Sequence, residues 1–317
     1  MLHKVGINVF DDYFSSCIMN ALVSIVSYYD ESYKIAAYMN GYIPQFGPYD
    51  DQYFPYIGQT DEFFDMFRKF FKYEECNYDN KNYLEIIQKA IDAGEYIHIG
   101  VDLYYWNENG PTYGIEHMSH PSLIVGYDDE KSLVYALEDD LGCKVKYYIH
   151  PITYENLERS VCSEFNNFKD IMKYDYLIMK RVKEVIPFEL RFDKVKENAN
   201  NILKYLSEDR FVNYSVRGND FKRIPDEYLR VHTRFENRAI ANKLLFGELL
   251  KIKAIDGIII DELVSYCDTI ITNVVKSKMI FAKHQVSKLP IEPQIIEELW
   301  TNSINLEVKM WNALLSY

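Results

Sequence analysis

Three kinds of side chain in this sequence could act together as nucleophile, base and orienting acid. Cys17 stands in the segment DDYFSSCIMNALVSIVSYY, and His117 and His120 open the segment HMSHPSLIVGYDDEKSLVYALEDD, which closes on Glu138, Asp139 and Asp140. A thiolate attacks a carbonyl or thioester carbon, an imidazole within reach takes the thiol proton and later returns it, and a carboxylate fixes the imidazole tautomer. Such a set transfers acyl groups or cleaves amides. Asp102, His117, Asn8 and Tyr104 are the candidates for contacting substrate or supporting the three.

The elements that must position these groups are legible from periodicity. Ile18, Ala21, Leu22, Ile25, Val26 and Tyr29 repeat at i, i+3, i+4 and i+7, which predicts an amphipathic helix over 17–29. Ser15 or Ser16 can cap it, and Cys17 then falls in the first turn, where unpaired amides and the positive helix end favour a thiolate. A small apolar cysteine at the start of a core helix has the same pattern. Two strands are expected at 123–125 and 132–137, joined by the turn Gly126-Tyr127-Asp128-Asp129; as an antiparallel pair they bring a histidine and a carboxylate together.

Alternation along the second strand puts Val134, Ala136 and Glu138 on one face and Leu133, Tyr135, Leu137 and Asp139 on the other. Only one of the two acids can therefore face His120. Side-chain length favours Asp139, with Glu138 left open. The oxyanion donors expected are the Cys17 amide and a side chain before it. Asp12 as a carboxylate accepts and cannot donate, so Asn8 is the candidate if its loop folds back. A strand over 96–103 puts His98 and Asp102 on one face, with His98 expected to be packed. His98, Asp102, His117 and His120 are also four possible metal ligands, but no HExxH-type spacing accompanies them and no metal is expected. No phosphate-binding or dinucleotide glycine pattern occurs, and no cofactor is expected.

A net charge of -13 and a pI near 5.1 exclude a phosphate-backbone binder, so nucleic acid is not an expected partner. Five cysteines without a CxxC pair fit a reducing, cytoplasmic setting better than a disulfide framework. The amino terminus has no long apolar run, and no window approaches 18 uncharged apolar residues; neither secretion nor a membrane association is expected. Helices are further expected at 33–39, 82–93 and 154–161 and around Thr60 to Phe70, with strands at 143–149 and 174–179. The proline- and glycine-rich run over 41–58 reads as an irregular loop. After about residue 184 the pattern turns helical, over 195–206, 226–233, 239–250, 258–278 and 295–315. The expectation is an α+β domain with an antiparallel sheet over 1–184 and an all-helical domain over 185–317.

The blocks VDLYYW, HMSHPSLIVGYDDEKSLVYALED and CIMNALVSIVSYY resemble the family typified by the amino-terminal domain of butirosin biosynthesis protein H, itself similar to papain-like and C39-like cysteine peptidases. The likeness covers roughly residues 6–180. It implies a papain-like fold with Cys17 as nucleophile, His120 as base, and Glu138 or Asp139 as the acid, and Asp102 also matches a recurrent position. The activity implied is acyl transfer in specialised metabolism, near nonribosomal peptide or polyketide assembly. The donor would be a small-molecule or carrier-bound acyl group, such as the phosphopantetheine thioester of an acyl or peptidyl carrier protein, and the acceptor an amine. Pro121 after the histidine and Ile18 after the cysteine depart from the C39 pattern and favour acyl transfer or a specialised amide cleavage over peptidase activity. A non-catalytic binding member is the third reading. Lys180, Arg181 and Lys183 form one candidate basic cluster for an acidic carrier protein, and a solvated interdomain surface has the same pattern. A homodimer is the expected association.

Overall fold

A computed structural model describes residues 2–40, 43–49, 52–58, 61–77, 82–139, 147–207, 225–287 and 290–317; for 40, 43–49, 52–58, 61–63, 139, 171, 225–231, 285 and 293 it describes the backbone alone. The architecture is mixed α/β, an antiparallel sheet followed by a helical region. Two compact units divide it: Met1–Lys34 with Phe64–Pro187, and Ile35–Phe63 with Phe188–Tyr317.

The first unit is built on a sheet of β1 (Leu2–Lys4), β4 (Phe71–Cys76), β5 (Tyr96–Asp102), β6 (Ser119–Asp128), β7 (Leu133–Asp139), β8 (Tyr147–Thr153) and β9 (Tyr176–Arg181), in the order β4-β9-β5-β6-β7-β8, with β1 paired to β6. Every described pairing is antiparallel. β5 is buried at all seven positions, so both of its faces are covered and the alternation expected of a half-exposed strand is not required. At Gly100 a Cβ would lie 2.3 Å from the Phe168 side chain, so glycine lets that ring close over the strand. The register of β6 against β7 shifts between Ile124 and Gly126, a bulge that ends the long strand in a tighter twist.

α1 (Cys17–Tyr29) and α2 (Tyr33–Asn40) precede the sheet's main strands, and α3 (Asp61–Arg68) and α4 (Tyr83–Asp92) flank β4 in the chain. Ile87, Ala90 and Ile91 form the buried face of α4, which Gly94, at φ 72°, brings to its end. α5 (Leu103–Trp106), α6 (Tyr154–Val161) and α7 (Phe168–Met172) are short. Thr153 caps α6, its hydroxyl accepting from the Asn156 amide at 3.1 Å. The strand expected at 143–149 falls partly on residues outside those described; β8 begins at Tyr147.

In the second unit, β2 (Ile43–Tyr49) and β3 (Gln52–Gly58) pair antiparallel where the sequence reads as an irregular loop. A two-stranded ribbon leaves one edge of each strand unpaired, and prolines are compatible with that edge. β2 neighbours α8 (Phe192–Leu206) and β3 neighbours α9 (Pro225–Lys251), which is why 35–63 groups with the helices and not with the sheet that follows it in sequence. α10 (Gly257–Ser287) and α11 (Pro293–Ser316) complete the packing: α9 lies on α10, α10 on α11 and α11 on α8. Val195, Ala199, Ile202 and Leu206 are the buried stripe of α8. Arg238 on α9 forms an ion pair with Glu307 on α11, both almost wholly buried. Glu307 also accepts from the Trp311 indole N–H at 3.1 Å. Among the described residues no helix is long and apolar enough to cross a membrane.

Candidate active site

Cys17 owes its place to the loop that enters α1. Asn20, fully buried one turn into the helix, donates its amide to the carbonyls of Tyr13 (2.8 Å) and Phe10 (3.3 Å) and accepts from the Ser15 N–H at 2.9 Å. Ser16 is the N-cap, its hydroxyl accepting from the Met19 N–H at 3.1 Å, and its carbonyl takes the Asn20 N–H at 2.9 Å. Cys17 is therefore the first helical residue. The Cys17 and Ile18 amides have no acceptor within the helix, so the thiol sits at the positive helix end.

His120 lies on β6 opposite Val101 of β5 and is buried. Leu123 pairs with Leu137, so Ser122 and Glu138 stand across from each other and His120 is one diagonal step along the same face. Its Nε2 is 3.3 Å from Glu138 Oε2, an ion-pair distance, while Glu138 Oε1 accepts from the Trp106 indole N–H at 3.0 Å. Cys17 lies near enough to act on the imidazole as well, ahead of Glu138 among the groups that favour its protonation. With Nε2 turned to Glu138, Nδ1 is the ring nitrogen left for the thiol. Burial opposes protonation of His120, but Cys17 and Glu138 outweigh it and hold the imidazole well above the ordinary histidine value.

Of the two acids weighed from sequence, Glu138 is the one that meets His120. The backbone register puts Asp139 opposite Tyr147, on the other face, and its side chain lies outside the described residues. Asn8 is not brought to the thiol: its N–H bonds the Ser24 carbonyl at 3.0 Å and its amide the Ser27 carbonyl at 3.5 Å, about two turns along α1 from Cys17. Two groups that matter were not picked out from sequence. Trp106 orients Glu138, and Asn20, three residues after the cysteine inside an apolar helix, was the visible signal for a folded entry loop.

Asp102 and His117 form a separate cluster. Asp102 is 0% exposed and accepts from the Tyr104 N–H (3.1 Å), the Met118 N–H (3.2 Å), the Ser163 hydroxyl (2.6 Å) and His117 Nδ1 (2.7 Å). The His117 ring is stacked between Tyr104, at 4.1 Å, and Phe165, at 4.0 Å. This cluster fixes the crossing from β5 to β6, and so the start of the strand that carries His120. Burial raises the Asp102 pKa; the Ser163, His117, Tyr104 and Met118 donors outweigh that and hold the carboxyl below its ordinary value. The stability it contributes is therefore complete above the unfolded carboxylate value near pH 4 and lost as pH falls through the folded one. Asp102→Ala strips four donors of their acceptor and is expected to cost about 3 kcal/mol, measured by urea unfolding at pH 7. The deficit shrinks in acid, because the wild-type carboxylate is itself lost there.

His98 is buried, and burial first, then the charge of His120, push its pKa down to about 4, so it is neutral near pH 7. Among the described residues no group of three or more His, Cys, Asp or Glu side chains is placed to hold a metal ion. The basic cluster is engaged within its own unit: Lys180 pairs with Glu95 at 2.6 Å, and the Arg181 guanidinium lies 4.5 Å from the Tyr29 ring centroid. The class defined by this geometry is a mixed α/β protein with a cysteine, a histidine and a glutamate in one constellation. No protein-family model matches the chain, and no curated protein matches it.

Proposed function

We propose that the protein is a cysteine-dependent acyltransferase of papain-like fold. The observation that carries the reading is His120, buried between Cys17 and Glu138 and held basic by both. The order along the chain supports it too, with the cysteine at a helix start and the histidine and acid on neighbouring antiparallel strands, as in papain-like enzymes. His120 takes the thiol proton, and Cys17 sulfur attacks the carbonyl carbon of a small-molecule or carrier-bound thioester. The Cys17 and Ile18 amides are the nearest backbone donors for the developing oxyanion. Collapse breaks the thioester C–S bond, and the leaving thiolate takes the proton from His120. An amine then attacks the acyl-enzyme and gives its proton to His120, which passes it to the departing Cys17 sulfur. Glu138 stabilises the imidazolium in both halves.

Intact-mass measurement after incubation with short acyl thioesters of N-acetylcysteamine tests this. The wild type is expected to gain one acyl mass and the Cys17→Ala variant none. Discharge faster to an added amine than to water marks a transferase, and equal discharge marks a hydrolase. No adduct across a broad panel of thioesters would sink the catalytic reading and leave a binding protein.

A further inference from the structure

We propose that the apolar cavity beside α1 in the first unit is the acyl-chain pocket of the Cys17 site, shaped for a chain of about twelve non-hydrogen atoms that carries one hydrogen-bonding group met by His98. The inference rests on the acyltransferase reading and adds its substrate class.

The cavity measures about 350 Å³. At roughly 30 Å³ for a water-sized group, that is room for about twelve heavy atoms. One wall is α1 itself, through Ile18, Ala21 and Leu22. Ile18 is the neighbour of Cys17, and Ala21 is four residues on, on the same helix face and about 6 Å along the axis. A chain attached to the sulfur therefore meets a small side chain first. The opposite wall is the sheet, where Leu177 and Met179 of β9 stand beside Tyr73 and His98. The cavity reaches Cys17 along α1 and not through His98, which is three positions along β5 from Val101, the partner of His120, and so faces the other side of the strand. Exposed Arg68 and Glu75 lie on the lining as well and mark its wet end.

His98 makes this more than an apolar hole. The residue is only 5% exposed, and its ring stands edge-on to Phe168. Its nitrogens are not sealed off from the cavity, and a hydroxyl or carbonyl on the occupant can hydrogen-bond them there. A neutral ring offers one donor and one acceptor, and a hydroxyl can use either.

Calorimetric titration of the Cys17→Ala protein with straight-chain amides reads the pocket without any chemistry. Affinity is expected to rise about fourfold per methylene from butanamide to decanamide. Leu177→Trp, which fills the cavity from β9, should weaken decanamide at least about tenfold and leave butanamide within about twofold. If that variant does not fold, Met172→Ala widens the cavity and should move the preference to longer chains. 8-Hydroxyoctanamide should bind more tightly than octanamide, and His98→Leu should reverse that order. Flat affinity along the series, or equal weakening of every amide by Leu177→Trp, overturns the pocket. Thioester acylation of the wild-type Cys17 that ignores chain length overturns the pocket alone. Amide binding with the expected trend but no Cys17 adduct supports the pocket and overturns the acyltransferase reading.

Discussion

Glu138→Gln is expected to slow Cys17 acylation by about 10²- to 10⁴-fold, the range set by tautomer-reversing changes at an orienting acid. The glutamine carbonyl can still accept from the Trp106 indole, so the strand and the fold are kept. Its amide then points N–H at His120 Nε2. That nitrogen has to become the acceptor, the ring proton moves to Nδ1, and the nitrogen facing the thiol can no longer take a proton. The loss should fall on the acylation rate constant in single-turnover rapid-quench measurements, with amide binding to the pocket unchanged. The pH profile gives a second readout. His120 is raised in part by Glu138, so removing that charge lowers the imidazole pKa and moves the limb it controls to lower pH. Asp139→Asn, on the opposite face of β7, should leave the rate within about twofold. Equal losses from the two changes would mean that β7 offers both acids to the site and would overturn the assignment of Glu138.

The largest stability effect is expected far from this chemistry, in the helical unit. Glu307→Ala leaves the buried guanidinium of Arg238 without its counter-charge and the Trp311 indole without its acceptor. Burial already lowers the Arg238 pKa, with Glu307 opposing it, but arginine keeps its charge and cannot escape by deprotonation. Breaking such a pair from one side costs about 3–5 kcal/mol. For a unit of this size that is a fall in Tm of about 10 °C. The paired change Arg238→Met with Glu307→Leu removes both charges and should return stability to within about 1 kcal/mol of wild type, or above it. Calorimetry of the single and double variants separates the two cases. A double variant as unstable as the single one would show that the pair is net stabilising and not merely tolerated.

Local signals carried much of the fold and part of the site. The start of α1 was legible because Ser16, the apolar repeat and the absence of any breaker all lie within a dozen residues. The acid was narrowed to two by alternation alone, since that is a property of one strand. Choosing Glu138 needed the pairing of Leu123 with Leu137, a relation between strands shifted by the bulge before Gly126. Side-chain length pointed toward Asp139 because it ignores register. Asn8 looked available as a donor only while its backbone had no partner; the bonds to Ser24 and Ser27 tie it to the far end of α1. The β2–β3 ribbon was hidden by its prolines, which argue against a central strand and say little about an edge. Trp106 had no periodic signature, since its role depends on the single turn α5 aiming the indole at β7.

The position of β9 has a consequence for how the molecule is made. β5 to β8 form a run of consecutive antiparallel neighbours, so the His120 and Glu138 strands can meet soon after they leave the ribosome. β9 must then insert between β4 and β5, about a hundred residues after β4 has emerged. Until it does, β5 has an open edge and the cavity lacks the wall built by Leu177 and Met179. The nascent chain would thus hold its histidine and acid before it has anywhere to put a substrate, and the late closing of that edge is where misfolding and strand exchange between copies would compete with folding.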